Sequence, residues 1–425
     1  MDLTGKQVAV LGLGKSGFES ARFLAAHGAR VWASESKASS FFPEVEKKLK
    51  SLHVQVEFGK HSLEQIQKSN FIVISPGISP KTEIYQAVNQ SGILLMSEVE
   101  LASRFCPCPI VAVTGTNGKT TVTTLIQKVL AENGCHAVSC GNIGNPFIGE
   151  IKNLRRDSVA VLEVSSFQLA NIQTFRPHIA VLLNLTDNHY DWHGTFQAYA
   201  DAKWNIFKNQ MPEDFAILNA DDAETKKRES NVRAKKKYFK STSSENPNYE
   251  ACLEVAQIFK LNEVLCRKLL KEFRGIEHRM ENVNFGDGVN YINDSKSTTI
   301  ASLGWALDRM NKKVVLIMGG LHKGGDFSQL QNKVKEKVKS LVVIGKASLE
   351  IEHVFRAFVS VQKAASLEDA LRIARSQSKI GDTILFSPAC ASFDMFRDYE
   401  DRGRQFKEIV ARLQKEVSSK AFSLG

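Results

Sequence analysis

The sequence predicts an α/β protein with mostly parallel sheets, divided into about three domains. Three observations lead there. The chain has 425 residues, too many for one core at roughly 100–200 residues per domain. Short apolar runs rich in β-branched residues alternate with longer amphipathic stretches, which is the pattern of parallel sheets covered on both faces by helices. Two of the runs lead directly into glycine-rich loops that each open a helical pattern. The apolar runs lie at 8–11, 30–33, 71–75, 110–114, 159–164, 179–184, 314–318, 340–344 and 383–387. Helical patterns such as 16–27 and 120–133 separate most of them. There is no repeat of solenoid length.

Composition narrows the function classes. Hydrophobic residues make up 43% and charged residues 24%, as in globular proteins rather than disordered ones. The apolar stretches, such as 179–183, fall far short of the roughly 18 residues of a membrane span. The opening MDLTG has neither a basic nor an apolar leader region, so a cytoplasmic protein is expected. The net charge of +10 suits an anionic partner: nucleic acid, a membrane surface or phosphorylated small molecules. Seven cysteines are scattered through the chain. Cys106 and Cys108 form the one close pair, no zinc spacing follows, and reduced thiols are expected. Two segments look like joints, 105–109 with its prolines and the broader 226–248. Lys235, Lys236 and Lys237 in the latter read as a solvated loop, because no aromatic stacking platform accompanies them.

The first glycine loop is GLGKSG (12–17). It follows a strand and opens a helix, so its backbone can approach a phosphate at a helix N-terminus. Glu35 ends the next strand, where an acidic residue can meet a ribose or another ligand hydroxyl. The loop supports a Rossmann-like nucleotide-binding unit without separating a dinucleotide from a nucleotide sugar.

The second loop, TGTNGKTT (114–121), is a P-loop variant. Val113 stands where the first glycine of the common pattern would fall, and Gly115 takes the turning role. Its N–H groups can wrap ATP phosphates, Lys119 can reach the outer phosphates, and the Thr120 hydroxyl can ligate magnesium. Magnesium requires further hard oxygen ligands. Glu163 ends one apolar strand and His189 follows another. In a parallel sheet both lie on the P-loop edge. His193 reads as a surface or capping residue.

Together these residues resemble a known family. TGTNGKT, GNIG (141–144), EVSSFQL (163–169), NLTDNH (184–189) and NADD (219–222) look like the ATP-dependent Mur ligases of peptidoglycan synthesis. GLGKSG with SPGIS (75–79), NDSKST (293–298) and SPACASFDMF (387–396) resemble the branch that adds D-glutamate to UDP-N-acetylmuramoyl-L-alanine. The resemblance spans essentially the whole chain. Its P-loop is shared with folylpolyglutamate synthases, and SPACASFDMF is its most specific segment.

The resemblance implies a Rossmann-like UDP-substrate domain at 1–97, a central P-loop ATPase domain with a mostly parallel sheet at 98–276, and a Rossmann-like amino-acid-binding domain at 277–425. It implies a cytoplasmic monomer that binds ATP, two magnesium ions, UDP-N-acetylmuramoyl-L-alanine and D-glutamate, with no nucleic acid and no membrane insertion. By motif match, Gly115, Thr116, Asn117, Gly118, Lys119, Thr120 and Thr121 hold the ATP phosphates. Asn248, Arg279 and Lys323 contact the nucleotide. Thr120, Glu163, His189 and a carbamylated Lys203 serve the metal ions, and Lys119, Glu163, His189 and Lys203 form the catalytic set.

Gly14, Lys15, Ser16, Glu35, Ser36, Ser75 and Gly77 match the uridine and diphosphate positions, and Asn142 and Ser165 match positions touching muramoyl-alanine. Lys346, Ser392, Phe393 and Tyr399 are implied for D-glutamate. The chain departs from the family at Glu35 and Ser36, where aspartate and threonine are expected. It departs again at Ala251 and Leu321, where an adenine-side asparagine and a ribose-side aspartate are missing, and at Tyr399, where relatives carry phenylalanine.

Other readings are a ligase for another amino acid, a folate-type glutamate ligase, a nicotinamide oxidoreductase built on GLGKSG, and a nucleotide-binding scaffold. The N-terminal nucleotide domain counts against the folate type, the P-loop against the oxidoreductase, and the full metal set against the scaffold.

Overall fold

The computed structural model describes residues 1–186, 189–240, 246–273, 275–283, 286–322 and 325–422. Its strands form three sheets. The first contains β1 (Gln7–Leu11), β2 (Arg30–Glu35), β3 (Gln55–Phe58), β4 (Phe71–Ile74) and β5 (Leu94–Ser97) in the order β3-β2-β1-β4-β5. All its pairings are parallel. This is one doubly wound half, with the order reversing beside β1.

The second sheet contains β6 (Ile110–Thr114), β7 (His136–Gly141), β8 (Ser158–Glu163), β9 (Ile179–Leu182), β10 (Phe215–Asn219) and β11 (Lys235–Phe239). Its order is β11-β10-β9-β6-β8-β7, again parallel throughout. The third contains β12 (Glu281–Asn282), β13 (Asn290–Asn293), β14 (Val314–Gly319), β15 (Val338–Ile344), β16 (Val361–Lys363) and β17 (Thr383–Phe386), ordered β12-β13-β17-β14-β15-β16. Only the short β12 runs antiparallel. The expected α/β class with mostly parallel sheets is borne out.

The described chain divides into two compact units, Met1–Phe273 and Arg274–Gly425. Within the first, one apolar cluster joins a face of the first sheet to a face of the second, uniting Val8, Val10 and Phe71 with Ala112, Leu162 and Leu182. The far face of the second sheet packs on the helix Lys119–Glu132 through Val122, Leu125, Ile126 and Val129. The third sheet is covered on both faces. Burial on both faces explains why β6, β8 and β14 are near-continuous apolar runs, with polar residues only at the ends of β6 and β8.

One expectation is corrected. Lys235, Lys236 and Lys237 are not in a loop. They form the exposed edge strand β11, paired in parallel with β10. Lysines on an edge strand keep its open hydrogen-bonding groups from recruiting another chain. The joint expected at 226–248 contains this strand and the start of the helix Pro247–Ile258, while 241–245 lies outside the described residues.

Candidate active site

The strand order brings the P-loop and its expected partners to one edge. β6 lies between β9 and β8, with Val113 opposite Glu163 and Thr114 opposite Leu182. β6 ends at Thr114, and the chain turns through Gly115 to Gly118 into the helix Lys119–Glu132. Gly118 has φ +85°, and a Cβ there would lie 2.6 Å from Oδ1 of Asn248. Only glycine satisfies both conditions. The same distance places Asn248 beside the loop. Ala251, one helical turn on, is fully buried and supplies no polar group.

The loop is held from the β9 side. Asn184 accepts from the Asn117 N–H at 2.9 Å and donates to the Asn117 carbonyl at 3.2 Å, while its own carbonyl accepts from the Thr116 N–H at 2.9 Å. The Thr116 hydroxyl meets the Tyr199 hydroxyl at 2.9 Å and accepts from the Thr186 N–H at 3.0 Å. Lys119 folds back to donate to the carbonyls of Gly115 and Thr116, both at 2.9 Å. Thr120 is buried and Thr121 half-buried at the start of the helix.

Two buried ionisable side chains, Glu163 and Lys203, lie at this edge. Glu163 is 3% exposed. One of its oxygens accepts from the Asn142 side chain at 2.7 Å, and the other has no hydrogen-bond partner among the described residues. Lys203 is 2% exposed, its Nζ lies 3.5 Å from the Thr114 hydroxyl, and it sits 4.9 Å from the centre of the Tyr199 ring. Burial, then repulsion from Lys119, holds its amine well below the usual lysine range, with Glu163 pulling the other way. Burial and Lys119 thus weaken the hold of the Lys203 amine on its proton.

An orphaned carboxylate oxygen and a buried nucleophilic amine on a phosphate-binding edge fit a hard metal ion completed by a lysine carbamate. Among the described residues no three His, Cys, Asp or Glu side chains converge as metal ligands. Thr120, a carbamate on Lys203 and phosphate oxygens would have to complete the coordination shell.

His189 has a left-handed backbone, φ 55°, and caps the helix Tyr190–His193. Its ring meets Phe167 edge-on at 4.8 Å. His193, expected at the surface, stacks on Phe167 at 5.5 Å and lies 2.9 Å from the Ser166 hydroxyl. Ser165 caps the short helix Ser166–Leu169 through a reciprocal pairing with Gln168.

The first sheet carries a second recess. Gly14, Lys15, Ser16, Glu35, Ser36, Ser75 and Gly77 line a cavity of about 380 Å³, joined by Lys37 and His61. Glu35 anchors the rim: it accepts from the Leu13 N–H at 2.9 Å and from the Ser36 hydroxyl and Lys37 N–H, both at 3.2 Å. A Cβ on Gly17 would lie 1.8 Å from the Gly12 carbonyl oxygen, so glycine is required where the helix Lys15–Ala26 leaves the strand. The Ser34 hydroxyl contacts His61 Nδ1 at 2.6 Å, and burial pushes the His61 imidazole below its usual range.

In the second compact unit, Arg279 lies 5.6 Å from the Trp305 ring centre. Lys323 lies outside the described residues. Leu321 is engaged through its backbone, exchanging hydrogen bonds with Ala391. Lys346 is exposed, and its N–H donates to Asp394 at 2.9 Å, which joins the β15 loop to the segment after β17. Ser392 is buried and Phe393 is 61% exposed. Tyr399 opens the last helix, and its carbonyl accepts from the Ser295 hydroxyl at 2.8 Å.

Sequence reasoning missed Tyr199, Asn184, Lys37 and His61 as site residues. Tyr199 precedes Lys203 by one helical turn, and that spacing could have suggested it. His61 follows the edge strand β3, whose polar pattern hid the position.

Three family models match the chain: "Mur ligase MurD-like, N-terminal domain" at residues 6–97, "Mur ligase middle domain" at 113–272, and "Mur ligase, glutamate ligase domain" at 278–390. The UDP-N-acetylmuramoylalanine–D-glutamate ligase of Koribacter versatilis is 39% identical over 450 residues, covering 97% of this chain and 99% of that protein. Its counterpart from Chloroherpeton thalassium is 36% identical over 465 residues, with 97% and 99% covered. Among solved structures, the MurF ligase of Thermotoga maritima in complex with ADP aligns with TM-score 0.55 at 16% identity, covering 97% of this chain and 99% of that one. That likeness supports the fold.

Proposed function

This chain belongs to the Mur ligase family, and from that premise we propose that it joins D-glutamate to UDP-N-acetylmuramoyl-L-alanine with ATP as the driving reagent. The relatives that match 97% of the chain carry that activity in their names. The observation that carries the chemistry is the buried Lys203 amine, its proton affinity lowered by burial and by Lys119, at the same P-loop edge as the half-satisfied Glu163 carboxylate.

In this reading the cavity around Gly14, Glu35 and Ser75 receives the uridine diphosphate, and Lys15 faces its negative charge. Asn142 and Ser165 orient the muramoyl-alanine carboxylate. Its oxygen attacks the outer phosphorus of ATP, the bond to ADP breaks, and an acyl phosphate forms. The loop N–H groups of residues 115–118 and the Lys119 ammonium stabilise the spreading phosphate charge. The D-glutamate amine then attacks the acyl carbon, loses a proton, and inorganic phosphate leaves from the tetrahedral intermediate. Lys346 faces a glutamate carboxylate, with Ser392 and the Phe393 backbone as further donors and Tyr399 beside them. Asn248, Arg279 and Lys323 contact ATP.

In its unprotonated form the Lys203 amine can add carbon dioxide, releasing a proton to solvent and gaining an anionic oxygen pair. Thr120, Glu163, His189 and that carbamate would hold two magnesium ions, which when bound neutralise phosphate charge. A cytoplasmic monomer is consistent with the family, and no helix among the described residues is long and apolar enough to cross a membrane.

A phosphate-release assay with UDP-N-acetylmuramoyl-L-alanine and a panel of amino acids tests the proposal. Release that depends on D-glutamate supports it. Release that depends on L-alanine or a diamino acid, and not on D-glutamate, refutes it.

A further inference from the structure

The motif left unused by the ligase reading is Cys106-Pro107-Cys108. It lies in the connector between the helix Glu98–Ser103 and β6, the strand that leads into the P-loop. The two Sγ atoms are 3.6 Å apart, and Cys106 Sγ is also 3.3 Å from the Cys108 carbonyl oxygen. Both side chains are half-buried, and each is followed by an exposed proline, Pro107 and Pro109. The connector is fixed at both ends. Phe105 packs edge-on against Phe23 with centroids 5.0 Å apart, and the Pro109 carbonyl accepts from the Ala160 N–H at 3.0 Å. Pro107 locks one backbone dihedral between the thiols. Cys140, Cys252, Cys266 and Cys390 are buried, so solvent reaches them poorly.

We propose that Cys106 and Cys108 are a modification site: a reversible dithiol–disulfide couple that closes by exchange with a small disulfide of the glutathione class. The Cys106 thiol loses its proton to solvent, and the thiolate attacks one sulfur of the small disulfide. That S–S bond breaks, and the departing thiolate takes up a proton. The Cys108 thiolate then attacks the Cys106 sulfur of the mixed disulfide, expelling the second small thiol. Two cysteine sulfurs are oxidised and one small disulfide is reduced to two thiols. Held thiols at this separation make the second step intramolecular and fast. Intracellular disulfides that do form are commonly transient ones of this kind.

The test is native full-length protein incubated with oxidised glutathione, quenched with an alkylating agent and read by peptide mass spectrometry. The expected result is a 104–109 peptide that lacks two hydrogens, carries no alkyl group, and recovers both thiols with dithiothreitol. Closure should be about tenfold or more faster in the native protein than in urea. Cys108→Ser should stop at a mixed disulfide on Cys106, and Cys106→Ser should not close. A mixed disulfide that persists on the parent protein, pairing of Cys106 with Cys140, equal rates in urea, or both thiols remaining alkylatable would each overturn the proposal.

Discussion

Asn142 donates to one oxygen of Glu163 at 2.7 Å, and the second oxygen of that buried carboxylate has no hydrogen-bond partner among the described residues. A buried, half-satisfied anion is costly unless something else meets it. Glu163→Gln keeps the shape and the Asn142 contact but removes the anion. Ligation should fall by about 100- to 1000-fold, with a thermal midpoint no lower than the parent's. Steady-state kinetics and a melting curve on the same sample decide it. A variant that unfolds easily would assign Glu163 a structural role instead.

Lys203→Ala should abolish ligation if, as proposed, Lys203 carries a carbamate. A small added carboxylate such as acetate or formate should restore part of the rate by occupying the vacated space. Near-normal activity of the untreated variant would sink the carbamate role.

Tyr199→Phe tests how the ATP loop is positioned. It deletes the hydroxyl that meets Thr116 at 2.9 Å and keeps the ring beside Lys203. One hydrogen bond of about 1 kcal/mol corresponds to a rise in KM for ATP of about fivefold, with kcat nearly unchanged. A kcat loss with unchanged KM would place Tyr199 in the chemistry itself.

Gly17→Ala and Gly14→Ala form a paired stability test. The first drives a methyl group to 1.8 Å from the Gly12 carbonyl oxygen. It should cost at least about 2 kcal/mol. The second meets nothing within 4 Å at φ −63° and should cost under about 1 kcal/mol. Urea unfolding of both variants should show that ordering.

Glu98 gives a pH-dependent prediction. It is fully buried, and burial pushes its carboxyl up to about 7 despite the Ile148 N–H donating at 2.6 Å. A carboxyl whose folded pKa is raised destabilises the fold as it ionises. Stability is therefore intact below the ordinary carboxylate range and lost as pH rises through about 7. Glu98→Gln removes that loss. The variant should gain up to about 3 kcal/mol over the parent at pH 8 and little at pH 5. Equal differences at both pH values would contradict the assignment.

How far the sequence carried the fold depends on where each strand lies in its sheet. The nine apolar runs all became strands, and all lie in sheet interiors. All six sheet edges, β3, β5, β7, β11, β12 and β16, escaped notice. Edge strands need less apolar surface, and Lys235–Phe239 reads as a solvated charge run because its face is solvated. Interior strands β10 and β13 were also missed. They are short, and polar asparagines end them, Asn219 in one and Asn290 and Asn293 in the other.

The site divides in a similar way. Motif residues at strand ends or in the loops that follow them, such as Glu163, Glu35 and Lys119, were legible because their type and spacing form recognisable patterns. Tyr199, Asn184 and His61 were not, because their roles arise only when distant segments meet. His193 read as a surface residue until Phe167 and Ser166 were seen packed against it.

The most direct measurement is a product analysis. The enzyme is mixed with UDP-N-acetylmuramoyl-L-alanine, ATP, magnesium, bicarbonate and isotopically labelled D-glutamate, and the products are resolved by mass. The account predicts one labelled UDP-muramoyl dipeptide, formed in equal amounts with ADP and phosphate, and none with L-glutamate. ATP turnover with no labelled product, or equal product from L-glutamate, would contradict it.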